Sequence, residues 1–153
     1  MRGFKFFALA WLVAGALDIT SACFYAGFGE HHTSPLVVLR GVAAGPFGDH
    51  MKDEGLFGAL VGLGVHFALM ANITAVLVIA SSFVPILRRL PWATGLAYGL
   101  LVYLTMYFVV LPLRYPGYVP HNPVGIAEQL FSHFILVGLT MSLIAMRGFR
   151  DQK

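Results

Sequence analysis

Charge is the scarcest property of this sequence. Asp, Glu, Lys and Arg together make up 11% of its 153 residues, against about 25% in ordinary soluble domains. Hydrophobic residues make up 58%. A soluble domain of this length has too little interior to hide that much apolar surface, whereas lipid receives it without the cost that water imposes. The length suits a single domain. Cys23 is the one cysteine, which excludes an intramolecular disulfide, a cysteine-based zinc site and a Cys-x-x-Cys-His attachment of c-type haem. There is no Walker loop, no Gly-x-Ser-x-Gly elbow, no zincin helix and no dinucleotide fingerprint, so the reading favours a protein that is not an enzyme. The ten Lys and Arg residues form no stripe interleaved with aromatics, so nucleic acid is not an expected partner.

What is abundant is long apolar sequence. A helix that crosses the hydrocarbon needs about 20 mostly apolar residues, and four segments qualify: about 6–28, 55–83, 92–113 and 124–146. The fold class that follows is all-α, an integral membrane four-helix bundle whose principal partner is the lipid bilayer. The first segment, with Arg2 and Lys5 before it, has the outline of a signal peptide. Asp18 interrupts its apolar run, however, and the run continues through Phe24, Tyr25 and Phe28, so a retained span is expected.

With the N-terminus placed inside, Arg2, Lys5, Arg88, Arg89, Arg147, Arg150 and Lys153 fall inside, and Arg40, Lys52 and Arg114 outside. Seven against three puts both termini in the cytoplasm by the positive-inside rule. Pro85 and Pro91 bracket the inner Arg88-Arg89 loop, and Pro112, Pro116, Pro120 and Pro123 crowd the outer connection between spans three and four. Proline cannot donate to a helical ladder, so that connection is expected to be extended or turned.

The connection 29–54 is too long for a simple turn. Its middle, about 35–44, is apolar apart from Arg40, with Ser34 suited to cap a helix, Pro35 to begin it and Gly45-Pro46 to end it. Ten residues give about 15 Å of helix, too short to span, so a short interfacial or re-entrant helix is expected between spans one and two.

Three ionisable residues fall within the spans: Asp18, His66 and His133. All sit about 14–17 Å below the outer ends of their helices at 1.5 Å rise per residue. Such groups are costly in lipid and persist when they face the bundle and find partners. Gly58 and Gly62 share a ridge with His66, and Gly95 and Gly99 form a similar ridge on span three, where Tyr98, Tyr103 and Tyr107 offer hydroxyls. Gln129 and Thr140 follow the helical spacing of His133.

Asp18, His66 and His133, with Arg40 near the outer mouth, point first to an intramembrane polar site that binds a small ligand or relays protons. A second reading makes His66 and His133 axial ligands of haem b in a membrane electron-transfer protein. A third makes the chain an accessory subunit of a larger membrane complex, or a homo-oligomer, with polar residues that only fix helix register. His31 and His50, among the acidic residues of the outer connection, are weak metal candidates because their spacing follows no ligand pattern.

Several short segments carry a family likeness: Leu17 to Ala22, Val38 to Gly45, His66-Phe67-Ala68, Tyr98-Gly99, Val109 to Leu113, and His133 with Val137-Gly138-Leu139. In these the chain resembles a group of small uncharacterised bacterial inner-membrane proteins with four spans. The resemblance covers most of the chain. It implies the four-span topology and a bacterial inner-membrane location, draws attention to Asp18, Arg40, His66 and His133, and supplies no substrate.

Overall fold

Among the described residues of the computed structural model, 2–28 and 32–150, every regular element is helical. α1 spans Arg2–Phe28 and α2 spans Pro35–Phe47. A 3-10 turn at Asp49–Lys52 leads into α3, Gly55–Phe83. A short α4, Pro85–Arg89, precedes α5, Pro91–Arg114, and α6 covers Pro123–Phe149. α1, α3, α5 and α6 are each long and apolar enough to cross a membrane, and α2 is the short helix between the first two.

The start of α6 follows from local chemistry. Asn122 Oδ1 accepts hydrogen bonds from the Val124 and Gly125 amides, and Pro123 supplies a preset φ at the first helical position. Ser34 does stand at the start of α2, but its hydroxyl makes no capping bond; its carbonyl instead accepts from the Val37 and Val38 amides. α2 also runs on through Gly45-Pro46 to Phe47 rather than ending there. Pro46 lies in the last turn, where its missing N–H costs one ladder bond, and the Arg114 side chain donates to the Ala44 and Gly45 carbonyls at 3.2 and 2.9 Å.

Lipid-soluble helices gain nothing from hiding apolar faces against each other, so close backbone packing must hold them together. Glycine supplies it at two seams. The Gly58/Gly62 ridge of α3 receives α2: a Cβ on Gly62 would collide with the Leu39 carbonyl and lie 3.2 Å from the Ala43 nitrogen. The Gly95/Gly99 ridge of α5 receives α6: a Cβ on Gly95 would lie 2.7 Å from Leu139 Cα, and one on Gly99 would collide with the His133 carbonyl. α1 packs between α3 and α6. Leu12, Leu60, Ile79, Leu101 and Phe108 point outward, as lipid-facing side chains should.

The inner half of the bundle is an apolar core of Ala10, Ala14, Met70, Leu77, Val137, Met141, Ala145 and Met146. Small residues on α1 make room for the methionines opposite. Trp11 Nε1 donates to the Phe67 carbonyl at 2.7 Å, and Tyr98 OH to the Ile73 carbonyl at 2.7 Å, which tie α1 and α5 to α3. At this end the Arg88 guanidinium lies over the Phe149 ring and Gly148 packs on Phe6, so α4 gathers with the first turns of α1 and the end of α6. At the opposite end, called outer here, Asp49 pairs with Lys52 at 2.8 Å and with Arg114 at 3.1 Å.

Two stretches widen into π-helix: Met106–Val110 in α5 and Ser132–Leu139 in α6. The first stands just before Pro112, whose ring has no room beside the Phe108 carbonyl in a regular α-helix. Pro112 therefore belongs to the last turn of α5, and the extended outer connection begins only after Arg114. The second faces Gly95 and Gly99 across the α5–α6 seam. Both π segments flank the polar layer described next.

Candidate functional site

α1 carries Asp18 toward α6, where the Ser132 hydroxyl donates to Asp18 Oδ1 at 2.6 Å. α3 carries His66 to the other carboxylate oxygen, with Nδ1 at 4.0 Å from Asp18 Oδ2. The remaining ring nitrogen, Nε2, lies 2.9 Å from the Gly15 carbonyl one turn below Asp18. A carbonyl only accepts, so Nε2 carries a proton. Nδ1 is the ring nitrogen turned to the carboxylate. At 4.0 Å they are within ion-pair range but beyond a direct hydrogen bond. The Asp18 side chain keeps about a fifth of its surface open while His66 is buried, so the carboxylate is the reachable member.

His133 occupies the same layer and turns the other way. Its Nδ1 donates to the Gln129 carbonyl at 2.8 Å, which leaves Nε2 as the acceptor. The edges of the Tyr103 and Tyr107 rings meet the imidazole with centroids 5.8 and 6.0 Å away, and the two tyrosines stack at 4.8 Å. Consecutive residues of the π segment thus serve opposite neighbours, Ser132 toward α1 and His133 toward α5.

Above this layer a cavity of about 420 Å³ opens toward the outer end. Ala22 and Tyr25 of α1, Tyr103 and Tyr107 of α5, and Glu128 and Gln129 of α6 line it. Tyr118 lines one side from the outer connection, and burial, with Tyr103 adding a smaller effect, pushes its phenol pKa up. Ala22 is one helical turn above Asp18, and Gln129 one turn above His133. Tyr103 and Tyr107 belong both to the cavity wall and to the His133 contact. The cavity therefore ends next to the polar layer, and the apolar core lies beneath it.

The four residues singled out from the sequence divide. Asp18 and His66 face each other, and His133 joins them through its neighbour Ser132. Arg40 does not sit at the mouth. Among the described residues it forms no ion pair, its Cγ packs 3.2 Å from the position of a Cβ on Gly58, and its Nε is buried without a partner. The cause is the docking of α2: the Leu39–Ala43 face meets the glycines of α3, so Val38 is the α2 residue that reaches the cavity. His50 lies on the exposed 3-10 turn, and His31 lies outside the described residues. Among the described residues no three His, Cys, Asp or Glu side chains converge as a metal site.

Haem ligation requires a free ring nitrogen on each histidine. His133 retains one, but His66 has Nε2 bonded to Gly15 and its remaining nitrogen, Nδ1, faces a carboxylate at 4.0 Å that would stand in the way of an iron. The donor set does not fit a bis-histidine haem.

Sequence reasoning missed Ser132 and Glu128. A mid-span serine is usually bonded to its own helix, as Thr74 is to the Met70 carbonyl here. Glu128 carried a usable signal: a carboxylate one turn above the His133 level, beside Gln129. Comparison with protein-family models, curated proteins and solved structures gives no match to this chain.

Proposed function

We propose that this membrane protein binds a small polar solute in the outer cavity, with Asp18, His66, Ser132 and His133 as the polar floor beneath it. The observation that carries the reading is the Asp18 carboxylate, held by Ser132 at 2.6 Å and faced by His66 at 4.0 Å, one helical turn below Ala22 in the wall of a cavity of about 420 Å³. That volume is in the range of small-molecule pockets. Binding is favoured over passage because an apolar core of alanine and methionine, with Leu77 and Val137, continues below the polar layer. The wider placement we propose is a bacterial inner membrane with both termini cytoplasmic; the sorting of Arg88, Arg89, Lys5 and Arg147 to one end supports it.

A ligand that binds the folded state alone raises its melting temperature by mass action. Purified protein in nanodiscs, screened against small polar solutes, is expected to be stabilised by at least one, with the effect lost in Asp18→Asn and His66→Gln. Equal responses from wild type and both variants would overturn the reading. A proton-relay role draws on the same facing imidazole and carboxylate; it requires proton flux in vesicles that His66→Ala abolishes.

A further inference from the structure

We infer that the solute is an organic cation, an alkylammonium group with an apolar body. The inference rests on the binding reading above and names its ligand class.

The cavity's charge is one-sided. Among the described residues Glu128 is its one charged lining residue and neither Lys nor Arg lines it, and Asp18 lies a turn below the wall residue Ala22. Arg40 and Arg114, the nearest spans' basic residues, are both directed elsewhere: Arg40 against α3 at Gly58, and Arg114 to the Ala44 and Gly45 carbonyls and Asp49. An anion would meet carboxylate without a counter-charge in a wall that cannot supply one. The histidines aim no N–H at the wall: His66 gives Nε2 to the Gly15 carbonyl and turns Nδ1 to Asp18, His133 gives Nδ1 to the Gln129 carbonyl, and His121 has Nδ1 at 3.1 Å from the Val119 carbonyl, so the charge argument rests on Glu128.

The rest of the wall is aromatic. Tyr103, Tyr107 and Tyr118 form a continuous surface, with ring centroids 4.8 Å apart for the first pair and 6.3 Å for Tyr107 and Tyr118. Tyr25 faces the cavity from α1. Aromatic faces attract a cation through their quadrupole, and an alkylated ammonium, which is weakly hydrated, gives up little to meet them. Carboxylate plus tyrosine wall recognises charge and apolar bulk together, a combination that neither a metal ion nor a neutral sugar needs. The alkylammonium group can belong to a free solute or to a lipid headgroup at the outer interface.

The test uses the full chain in nanodiscs of phosphatidylglycerol, which carries no ammonium. Choline and its neutral isostere 3,3-dimethyl-1-butanol are titrated separately, with acetate as the anionic probe. Choline is expected to saturate a site that the neutral isostere does not fill. Tyr107→Leu is expected to weaken binding about tenfold, the scale of a partly desolvated cation–π contact, and Glu128→Gln, which removes the opposite charge, is expected to weaken it as well. Tyr107→Phe, which keeps the ring face, is expected to bind as wild type, so loss in Tyr107→Leu cannot be assigned to a missing hydroxyl. Retention of phosphatidylethanolamine through purification, lost in Glu128→Gln, would assign the cation to a lipid; its absence with choline bound would assign a free solute.

Equal binding of choline and the neutral isostere, or binding unaffected by Glu128→Gln, overturns the inference. Acetate binding in place of choline overturns it while leaving the binding reading intact. Silence of all three probes, together with no solute response in the thermal screen, removes both.

Discussion

Ser132 Oγ donates to Asp18 Oδ1 at 2.6 Å, which joins the first span to the last across 114 residues of chain. The bond leaves one carboxylate oxygen for His66 and fixes the rotamer of a charged side chain in the middle of the bundle. Ser132→Ala leaves that oxygen with its desolvation and without its donor, a loss of about 1–3 kcal/mol. Reversible unfolding in mixed micelles is expected to show this loss for Ser132→Ala and for Asp18→Ala, and a smaller loss for the double variant than for the two added together. Strict additivity would mean that the two side chains do not share an interaction.

The glycine seams set a second expectation. A side chain at Gly62 or Gly99 meets backbone carbonyl rather than a movable side-chain end. Gly62→Ala is expected to loosen α2 and Gly99→Ala to separate α5 from α6, each at a cost of about 1–3 kcal/mol, the range of overpacking in a well-packed interior. Gly64 and Gly41, with nothing within 4 Å of an added Cβ, serve as controls and should tolerate alanine. Unfolding curves of the four variants decide the matter, and equal behaviour of Gly62→Ala and Gly64→Ala would count against the packing described.

The outer tie of α2 should depend on pH. The hydrogen bond from Lys52 holds the Asp49 carboxyl below its usual range, with Arg114 adding to the effect. A carboxylate whose folded value is lowered contributes above its unfolded value and stops contributing as pH falls through the folded one. In a Cys23→Ser background, nitroxides at Phe47→Cys and Leu113→Cys report the separation of α2 from α5 by electron paramagnetic resonance. The distance distribution is expected to be narrow at neutral pH and to broaden on strong acidification. Asp49→Asn should give the broader distribution at every pH. A wild-type distribution that does not change with pH would show that the Arg114 bonds to the Ala44 and Gly45 carbonyls suffice.

The engaged nitrogens of His66 give an optical expectation. Haem titrated into the purified protein should yield no bis-histidine spectrum. A Soret band that shifts on reduction, and that disappears in both His66→Ala and His133→Ala, would require His66 to abandon Gly15 and Asp18.

The four spans were legible because each is an unbroken apolar run, and the glycine ridges because four-residue spacing is itself the packing signal. Charge and depth put Asp18, His66 and His133 at one level, but which of them meet was not legible; the structure sets His66 against Asp18. Depth did not fix direction for Arg40: α2 sets its Leu39–Ala43 face on Gly58 and Gly62, Arg40 packs its Cγ beside Gly58, and Val38 is the α2 residue in the cavity wall. The π segments were hidden for a different reason. The one in α5 stands before Pro112, a local signal that does not by itself specify a widened turn, and the one in α6 lies where Gly138 closely approaches Gly95, a property of packing rather than of a local run of residues. With them went the separate directions of Ser132 and His133, which only the widened turn reveals.

The account turns on a cavity that water and solute reach from the outer end and that stops at the Asp18 layer. Cysteine accessibility tests this directly. In a Cys23→Ser background, cysteines at Ala22 and Gln129 in the cavity wall, and at Ala14 and Val137 in the core below, are exposed to a charged, membrane-impermeant thiol reagent added on the α2 side. Rapid labelling at Ala22→Cys and Gln129→Cys, with none at Ala14→Cys and Val137→Cys, is the expected result. Labelling at all four positions, or at none, would contradict it.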